Sequence, residues 1–205
     1  MEKKTAGKRG GTGKRQSGSH SVKNFSRNFS AIVKRERSDA IYNTMKKLQV
    51  AIFAAGCFWG VEEAFQKLPG VHDTEAGYTG GSKEEPTYED VCGGKTGHAE
   101  SVRVEFDPKK ITYADLLGKF FAMHDPTSKN RQGLDIGAQY RSAIFFQGKE
   151  QEREARRAIA ALSKSGKYRL PIVTEVLPAQ EFWPAEEYHQ KYLQKRSQAV
   201  CKVCP

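Results

Sequence analysis

The chain has 205 residues, of which 38% are hydrophobic and 28% charged, and it contains 11 Phe, 8 Tyr and 2 Trp. These apolar and aromatic side chains are enough for one hydrophobic core, which excludes a wholly disordered protein. No run of about 20 consecutive apolar residues, the length that a membrane-spanning helix needs, is present in the sequence. An integral membrane protein is therefore excluded as well.

The formal net charge of +10 is confined to the first quarter of the chain. Residues 1–48 contain 13 Lys and Arg against 3 Asp and Glu, whereas residues 49–205 contain 21 of each kind. The basic segment is rich in Gly and Ser, which predicts a disordered, solvated extension because it can bury little surface. The alternatives are an organellar transit peptide and a tail that binds nucleic acid or another anionic surface. The segment has no apolar core of a secretory signal, so we expect a cytoplasmic protein, and nucleic acid is not the expected partner.

From residue 49 onward, hydrophobic periodicity predicts strands that alternate with helices. A nearly continuous apolar run over 49–55 predicts a buried strand, and Gly56 separates it from a helix over 58–68. A short strand at 71–76 is expected to lead into a Gly-rich loop over 77–97.

The same alternation continues through the second half of the chain. Residues 101–106 alternate apolar and polar side chains, and Thr112 with Asp115 forms a capping box at the start of a helix. Residues 127–140 are predicted as loop. The remaining predicted elements are strands at 142–147 and 171–177 and helices at 150–163 and 184–194.

Together these elements predict an α+β fold. We expect a two-layer α/β sandwich in which a central mixed sheet with a ferredoxin-like core is flanked by helices. The folded domain is predicted to span residues 49–195, followed by a mobile C-terminal tail at 196–205.

Of the four cysteines, Cys57 has the most informative position. It lies between a predicted strand and the first turn of a predicted helix, where free N–H groups and the helix dipole stabilise a thiolate. We therefore predict a nucleophile with a lowered pKa, with a small buried core residue as the alternative.

Cys201 and Cys204 form a C-x-x-C pair in the predicted tail. One of these thiols could attack an oxidised Cys57, and the other could then exchange with the new disulfide; unreactive tail cysteines are the alternative. A zinc site would need two further ligands, and only His189 lies nearby in the sequence. No metal site is predicted.

Glu100 begins the alternating strand and is predicted on the same face as Val102, Val104 and Phe106. A carboxyl group on an apolar face has a raised pKa, so Glu100 is a candidate proton donor, with a solvated residue at the strand edge as the alternative. Other polar residues that cluster in predicted loops are Tyr78, Tyr88, His98, His124, Asp125, Asp135, Tyr140 and His189.

A series of separated motifs resembles the A-type peptide methionine sulfoxide reductases over residues 49–195. The motifs are GCFWG at 56–60, GYTGG at 77–81, PTY at 86–88, GHAE at 97–100, HDP at 124–126, RQG at 131–133 with Asp135, QYRSAI at 139–144 and YHQ at 188–190. The resemblance implies a peptide-methionine (S)-S-oxide reductase that repairs oxidised proteins, acting on protein-bound or free methionine-S-sulfoxide.

The resemblance also implies a role for each matching residue. Cys57 would attack the sulfoxide sulfur, Phe58 and Trp59 would hold its methyl group, and Glu100 would protonate the leaving oxygen. The product would be methionine, with a sulfenic acid left on the cysteine.

Further roles follow from the same resemblance. Tyr88 and Tyr140 would hydrogen-bond the sulfoxide oxygen, and Asp135 would help to arrange the site. Cys201 would resolve the sulfenic acid and Cys204 would relay the disulfide to thioredoxin or another external dithiol. No metal or organic cofactor is expected, and a monomer is expected.

Two other classes of function stay open at this point. Cys57 with His98, His124 or His189 could form the dyad of a cysteine hydrolase or acyl-transferase. A binding protein that acts through its basic N-terminal segment is the third hypothesis. Cys92, in the Gly-rich loop, is predicted to be a bystander, with a resolving role as the alternative.

Overall fold

A computed structural model describes residues 48–201, including the side chains of residues 48–197. The strands of its main sheet are β1 (Gln49–Ala55), β2 (Val71–Thr79), β3 (Ala99–Phe106), β6 (Ser142–Phe146), β7 (Glu175–Pro178) and β8 (Trp183–Pro184), and a separate hairpin pairs β4 (Arg131–Gln132) with β5 (Asp135–Ile136). The helices are α1 (Phe58–Gln66), α2 (Tyr88–Cys92), α3 (Tyr113–Met123), α4 (Lys149–Lys164) and α5 (Tyr192–Cys201), and a 3-10 helix covers Ala138–Tyr140. Among these described helices, none is long and apolar enough to cross a membrane.

The main sheet is mixed, with the strand order β7-β6-β1-β3-β2-β8. Strand β7 runs parallel to β6, and the other neighbours pair antiparallel. The order β6-β1-β3-β2, with α1 following β1 and α3 following β3, is the ferredoxin-like β-α-β-β-α-β arrangement. The predicted α+β class with a central mixed sheet and flanking helices is therefore confirmed.

The main hydrophobic core lies between the sheet and helices α1, α3 and α4. At its centre the ring of Phe53 stacks on Phe65 and on Phe120, with centroids 5.0 and 5.2 Å apart. The opposite face of the sheet is covered over Ile52 and Phe145 by side chains from the chain around β7 and β8. Strand β1 is buried on both faces, which explains its nearly continuous apolar sequence.

Local sequence signals account for the start of α3. The Thr112 hydroxyl accepts a hydrogen bond from the Asp115 N–H at 3.1 Å, while the Asp115 carboxylate accepts one from the Thr112 N–H at 2.9 Å. This is the reciprocal capping box predicted from the sequence.

The predicted helix over 184–194 is wrong. Residues 183–184 form β8, residues 185–191 form a turn-rich segment that we call the strap, and helix α5 begins at Tyr192. Besides turn hydrogen bonds within itself, the strap bonds to distant elements: the Gln190 side chain bonds to the N–H and C=O of Ala76 in β2, at 2.9 and 2.8 Å. These tertiary hydrogen bonds override the helical pattern.

The structure differs from the sequence prediction in three further segments. The Gly-rich loop over 77–97 contains helix α2, and strand β2 extends into it as far as Thr79. The predicted loop over 127–140 contains the β4–β5 hairpin, and the strand predicted at 171–177 begins only at Glu175.

Candidate active site

Cys57 lies at the junction between β1 and α1, as predicted. Gly56, with φ of +97°, turns the chain, and a Cβ at this position would lie 2.8 Å from the side chain of Gln132 in β4. The turn therefore requires glycine on two counts, backbone conformation and close approach of the hairpin. The Cys57 side chain is half-buried at the positive end of α1.

Burial raises the pKa of the Cys57 thiol to about 11. Hydrogen bonds from the N–H groups of Trp59 and Gly60 at the start of α1 lower the pKa, as the sequence argument predicted, but the negative charges of Glu100 and Asp135 raise it further. The prediction of a lowered thiol pKa is therefore wrong for the substrate-free site, because burial and two carboxylates outweigh the helix terminus.

Glu100 in β3 is the buried carboxyl group of the site, with a relative exposure of 2%. Its Oε2 accepts a hydrogen bond of 3.0 Å from the N–H of Phe58, the residue that follows Cys57. Burial raises its pKa to about 7; the Phe58 hydrogen bond opposes the rise and the charge of Asp135 adds to it. A carboxyl group in this range holds a proton that it can release near neutral pH.

Two tyrosines add hydroxyl groups near the thiol and the carboxyl group. Tyr88 begins α2, and its N–H donates to Glu186 at 2.9 Å. A hydrogen bond to Cys92, together with burial, raises the pKa of Tyr88. Burial and the charge of Glu100 raise the pKa of Tyr140 to about 12. Both hydroxyls therefore stay protonated at neutral pH and are available as hydrogen-bond donors.

Asp135 belongs to the β4–β5 hairpin, where it pairs with Gln132. Its side chain is exposed, yet its negative charge raises the pKa values of both Cys57 and Glu100. The hairpin thus adds negative charge to the rim of the site. The sequence argument placed Asp135 in a loop among other polar residues, and only the resemblance implied a role for it.

Phe58 and Trp59 form the aromatic part of the site on the first turn of α1. Phe58 is buried, and its ring lies 5.1 Å from that of His189, centroid to centroid. The indole Nε1–H of Trp59 donates to His189 Nδ1 at 3.0 Å, and the ring of Tyr192 stacks on the indole at 3.9 Å. Two residues from the C-terminal part of the chain therefore fix the orientation of Trp59.

None of the three candidate dyad histidines forms a hydrogen bond with Cys57 among the described residues. His98 bonds to Gly81 and Lys83, and His124 bonds to Phe120 and Ser142. His189 accepts from Trp59 through Nδ1, which leaves the proton of a neutral imidazole on the buried Nε2. This arrangement disfavours a cysteine–histidine dyad.

The tail cysteines lie largely outside the described part of the chain. Cys201 is the last residue of α5 and its side chain is not described, while Cys204 lies outside the described residues. Cys92, at the end of α2, is an exposed free thiol beside Tyr88. Within the described residues, no three or more His, Cys, Asp or Glu side chains are grouped so that they could hold a metal ion.

Sequence reasoning missed two carboxylates that support the site. Glu186 accepts hydrogen bonds from the Tyr88 N–H and from the Tyr78 hydroxyl, and Glu62 accepts one from the N–H of Lys191. Both lie in predicted helices, where a charged residue is ordinarily solvated. Their helical context gave no signal that they are bonded to distant segments.

A half-buried thiol at a helix N-terminus, next to a buried carboxyl group with a pKa near 7, defines a cysteine-dependent enzyme with a built-in proton donor. The chain matches the profile of the family described as "Peptide methionine sulfoxide reductase" over residues 49–205. It is 55% identical over 158 residues to peptide methionine sulfoxide reductase MsrA of Methanoculleus marisnigri, covering 77% of this chain and 96% of that protein. The chain therefore belongs to the peptide methionine sulfoxide reductase family, whose members reduce methionine sulfoxide and repair oxidised proteins.

Solved structures show the same similarity. Reduced Mxr1 from Saccharomyces cerevisiae superposes with a TM-score of 0.69 at 37% identity, covering 75% of this chain and 88% of that one. Mxr1 in complex with Trx2 superposes with a TM-score of 0.50 at 26% identity, covering 72% of this chain and 86% of that one. These matches favour an oxidoreductase over the two other hypotheses, a cysteine hydrolase or acyl-transferase and a binding protein that acts through its basic N-terminal segment.

Proposed function

We propose that this chain reduces methionine-S-sulfoxide, protein-bound or free, with Cys57 as the nucleophile and Glu100 as the general acid. The observation that carries the proposal is the position of Glu100. Its carboxyl group bonds to the N–H next to Cys57 at 3.0 Å, and burial raises its pKa to about 7. The Glu100 carboxyl group, which extends from β3, is thus held at the first turn of α1, next to the nucleophile.

The proposed first half-reaction balances without any other reagent. The Cys57 thiolate attacks the sulfoxide sulfur, and Glu100 gives its proton to the sulfoxide oxygen as the sulfur–oxygen bond breaks. The hydroxyl group then passes to the Cys57 sulfur, while the sulfur–sulfur bond formed in the attack breaks and its electron pair returns to the substrate sulfur. This leaves a sulfenic acid on Cys57 and releases methionine. Cys57 is oxidised by two electrons, and the sulfoxide is reduced by two.

Tyr88, Tyr140 and Asp135 have supporting roles in this proposal. The two hydroxyls donate hydrogen bonds to the sulfoxide oxygen, where negative charge develops before the proton arrives. Asp135 keeps the proton on Glu100 near neutral pH, because its negative charge raises the pKa of that carboxyl group.

Phe58 and Trp59 are proposed to hold the methyl group of the substrate. An apolar contact that fixes this methyl group also fixes which lone pair and oxygen position the chiral sulfur presents to Cys57. We predict that Trp59→Ala lowers the preference for a methyl over an ethyl sulfoxide by about 10-fold. An unchanged preference, measured as a ratio of kcat/KM values, would remove Trp59 from the pocket.

Regeneration is proposed to use the tail cysteines and thioredoxin, with no metal or organic cofactor. The Cys201 thiol condenses with the sulfenic acid, releasing water and forming a disulfide, and Cys204 passes the disulfide outward. Thioredoxin supplies the two electrons and two protons that restore the thiols. The complex of the related Mxr1 with Trx2 supports this choice of reductant.

The test of this function is a thiol count in the absence of reductant. Fully reduced protein is mixed with a peptide that contains methionine-S-sulfoxide, and methionine formed and thiols remaining are measured. In the first turnover we expect one methionine per chain and the loss of two thiols, with a disulfide in the peptide map between Cys57 and Cys201 or, after exchange with Cys204, between Cys201 and Cys204. No methionine, with all four thiols intact, would overturn the proposed function.

Serine variants separate the roles of the four cysteines. Cys57→Ser is expected to form no methionine, because a serine hydroxyl is not ionised at neutral pH. Cys201→Ser should still form one methionine per chain but lose thioredoxin-linked turnover. Cys92→Ser is the control, and a loss of turnover in this variant would make Cys92 the resolving thiol.

A further inference from the structure

Glu62 is a buried carboxylate for which the proposed reaction has no use. It lies in α1, five residues after Cys57, and its relative exposure is 1%. Its Oε2 accepts a hydrogen bond of 2.7 Å from the N–H of Lys191, and its Oε1 accepts one of 3.3 Å from the Thr74 hydroxyl. A carboxylate is costly to bury, so these bonds indicate a specific task.

The task concerns the end of the strap. Lys191 has φ of +53°, a left-handed conformation that is strained for a residue with a side chain. Such a conformation persists only where the surroundings hold it. Glu62 holds it at the backbone N–H, and Asp73 holds it through an ion pair of 2.9 Å with the Lys191 ammonium.

Lys191 lies between the two residues that contact Trp59. His189 accepts the indole N–H at 3.0 Å, and Tyr192 stacks on the indole with ring centroids 3.9 Å apart. The left-handed turn at Lys191 changes the direction of the chain between them. Without this turn the two side chains could not keep these positions against the same indole, because an extended or helical residue would send Tyr192 elsewhere.

We propose that Glu62 is a positioning residue for substrate recognition. By binding the backbone of Lys191 it sets His189 and Tyr192 against Trp59, and so it fixes the indole in the pocket for the substrate methyl group. The proposal rests on the function proposed above, in which Trp59 contacts that methyl group. Glu62 itself touches neither the substrate nor the reacting atoms.

Three substitutions of Glu62 test the proposal. Glu62→Gln keeps an oxygen acceptor for the Lys191 N–H, Glu62→Met removes it with little change in volume, and Glu62→Ala removes it and leaves a cavity. Tyr168→Phe is the matched control, since it removes one hydrogen bond of 3.0 Å, to the Phe121 carbonyl, in a different part of the fold. Each variant is made with and without Trp183→Phe, which leaves Trp59 as the sole tryptophan of the chain.

The readouts are Trp59 fluorescence and substrate discrimination. In Glu62→Met we expect a shifted Trp59 emission maximum, and a preference for methyl over ethyl sulfoxide that falls about 10-fold, mostly through KM. The yield of about one methionine per chain without reductant should persist, because Cys57 and Glu100 are untouched. In Glu62→Gln the preference for methyl over ethyl sulfoxide is expected to stay within about 3-fold of that of the parent protein. In Tyr168→Phe this preference should equal that of the parent.

A merely structural role would give a different result. If Glu62→Met lowers the melting temperature but leaves emission and discrimination unchanged, the proposal is overturned; Glu62→Ala gives the same decision if Glu62→Met does not fold. A loss in Glu62→Gln equal to that in Glu62→Met would also overturn it, since the acceptor is kept. Unchanged discrimination in Trp59→Ala would instead identify the pocket assignment itself as the error, and the proposal would fall with it.

Discussion

Cys57 and Glu100 are two acids whose pKa values are both raised, to about 11 and about 7, within one buried site. Between these values the pair holds a single proton, and the negative charge of Glu100 raises the pKa of Cys57. The reactive form has the proton on Glu100 and the charge on Cys57. Protonation of Glu100 removes one of the negative charges that raise the pKa of Cys57. Protonation of the acid therefore favours ionisation of the nucleophile.

The shared proton predicts the pH dependence of methionine formation. Below about pH 7 both groups are protonated and the thiolate is missing, so the single-turnover rate should rise with pH up to about 7 and then level off. The plateau should extend toward the thiol pKa, since the one-proton population is constant there. Rapid-quench measurement of methionine from about pH 5.5 to about pH 9.5 checks this profile.

Replacing the acid should change both the rate and the profile. In Glu100→Gln the amide oxygen still accepts the Phe58 N–H, but no proton can be given to the sulfoxide oxygen. We expect methionine formation to fall by about 100-fold or more, and to keep rising above pH 7 as the thiol alone ionises. The control is Glu105→Gln on the same strand, a half-buried residue near Arg103. A plateau retained at pH 7 in Glu100→Gln would contradict the assignment.

The raised pKa of Glu100 also has a consequence for stability. A carboxyl group whose folded pKa lies above its ordinary value of 4.5 contributes stability at low pH that is lost as the pH rises through about 7. Because glutamine does not ionise, Glu100→Gln should be more stable than the parent at pH 9 by about 3 kcal/mol, and should match it near pH 4. Urea unfolding at the two pH values measures the difference. An equal difference at both would show that ionisation of Glu100 is not its origin.

At the scale of elements, the sequence predicted best where local signals decide the structure. The continuous apolar run of β1, the alternation in β3 and the capping box of α3 depend on residues within a few positions of one another. The strap at 185–191 was predicted wrongly because its hydrogen bonds run to β2, α1 and α2. A pattern of apolar spacing has no information about such distant partners.

The same distinction applies to the candidate site. Strand alternation predicted Glu100 on the apolar face of β3, and the strand–glycine–helix junction predicted the position of Cys57, so both residues could be identified from local patterns. The contact between them came from the structure. The carboxylates that hold the surrounding segments in place could not be identified from local patterns. Glu186 and Glu62 act through backbone N–H groups that lie about 100 residues or more away in the chain.

Glu186 gives a prediction at this scale, because it ties the strap to the start of α2. Its carboxylate accepts from the Tyr88 N–H at 2.9 Å and from the Tyr78 hydroxyl at 3.0 Å. Glu186→Ala removes both bonds and leaves the first turn of a five-residue helix without its anchor. We expect a decrease in kcat of about 10-fold, because the Tyr88 hydroxyl is less well placed.

The neighbouring residue provides the control for this prediction. Glu187 is 88% exposed and pairs with Lys195 at the surface, so Glu187→Ala should leave kcat within about 2-fold of the parent. Tyr88→Phe in the Glu186→Ala background should add little further loss if both act through the same hydroxyl. Fully additive effects would mean that Glu186 acts independently of Tyr88.

At the scale of the whole molecule, the excess positive charge and the candidate site residues lie in different parts of the sequence. Residues 49–205 contain equal numbers of acidic and basic residues, and every described group of the candidate site lies in this part. The family match also begins at residue 49. Charge, family match and site position therefore lead us to predict that the reaction does not need the basic first quarter.

Removing residues 1–44 tests this separation. The removed segment contains 11 Lys and Arg against 3 Asp and Glu, and the remaining chain still begins with Met45 ahead of β1. We expect kcat/KM for a methionine-S-sulfoxide peptide to stay within about 2-fold of the full chain, because no described site residue is lost. Binding to an anionic polymer such as heparin should fall steeply, since it depends on the clustered positive charge. A truncated chain that reduces free methionine sulfoxide normally but acidic protein substrates slowly would make the segment a substrate-recruiting element. Loss of activity toward both substrates would place an essential part of the reductase before residue 45.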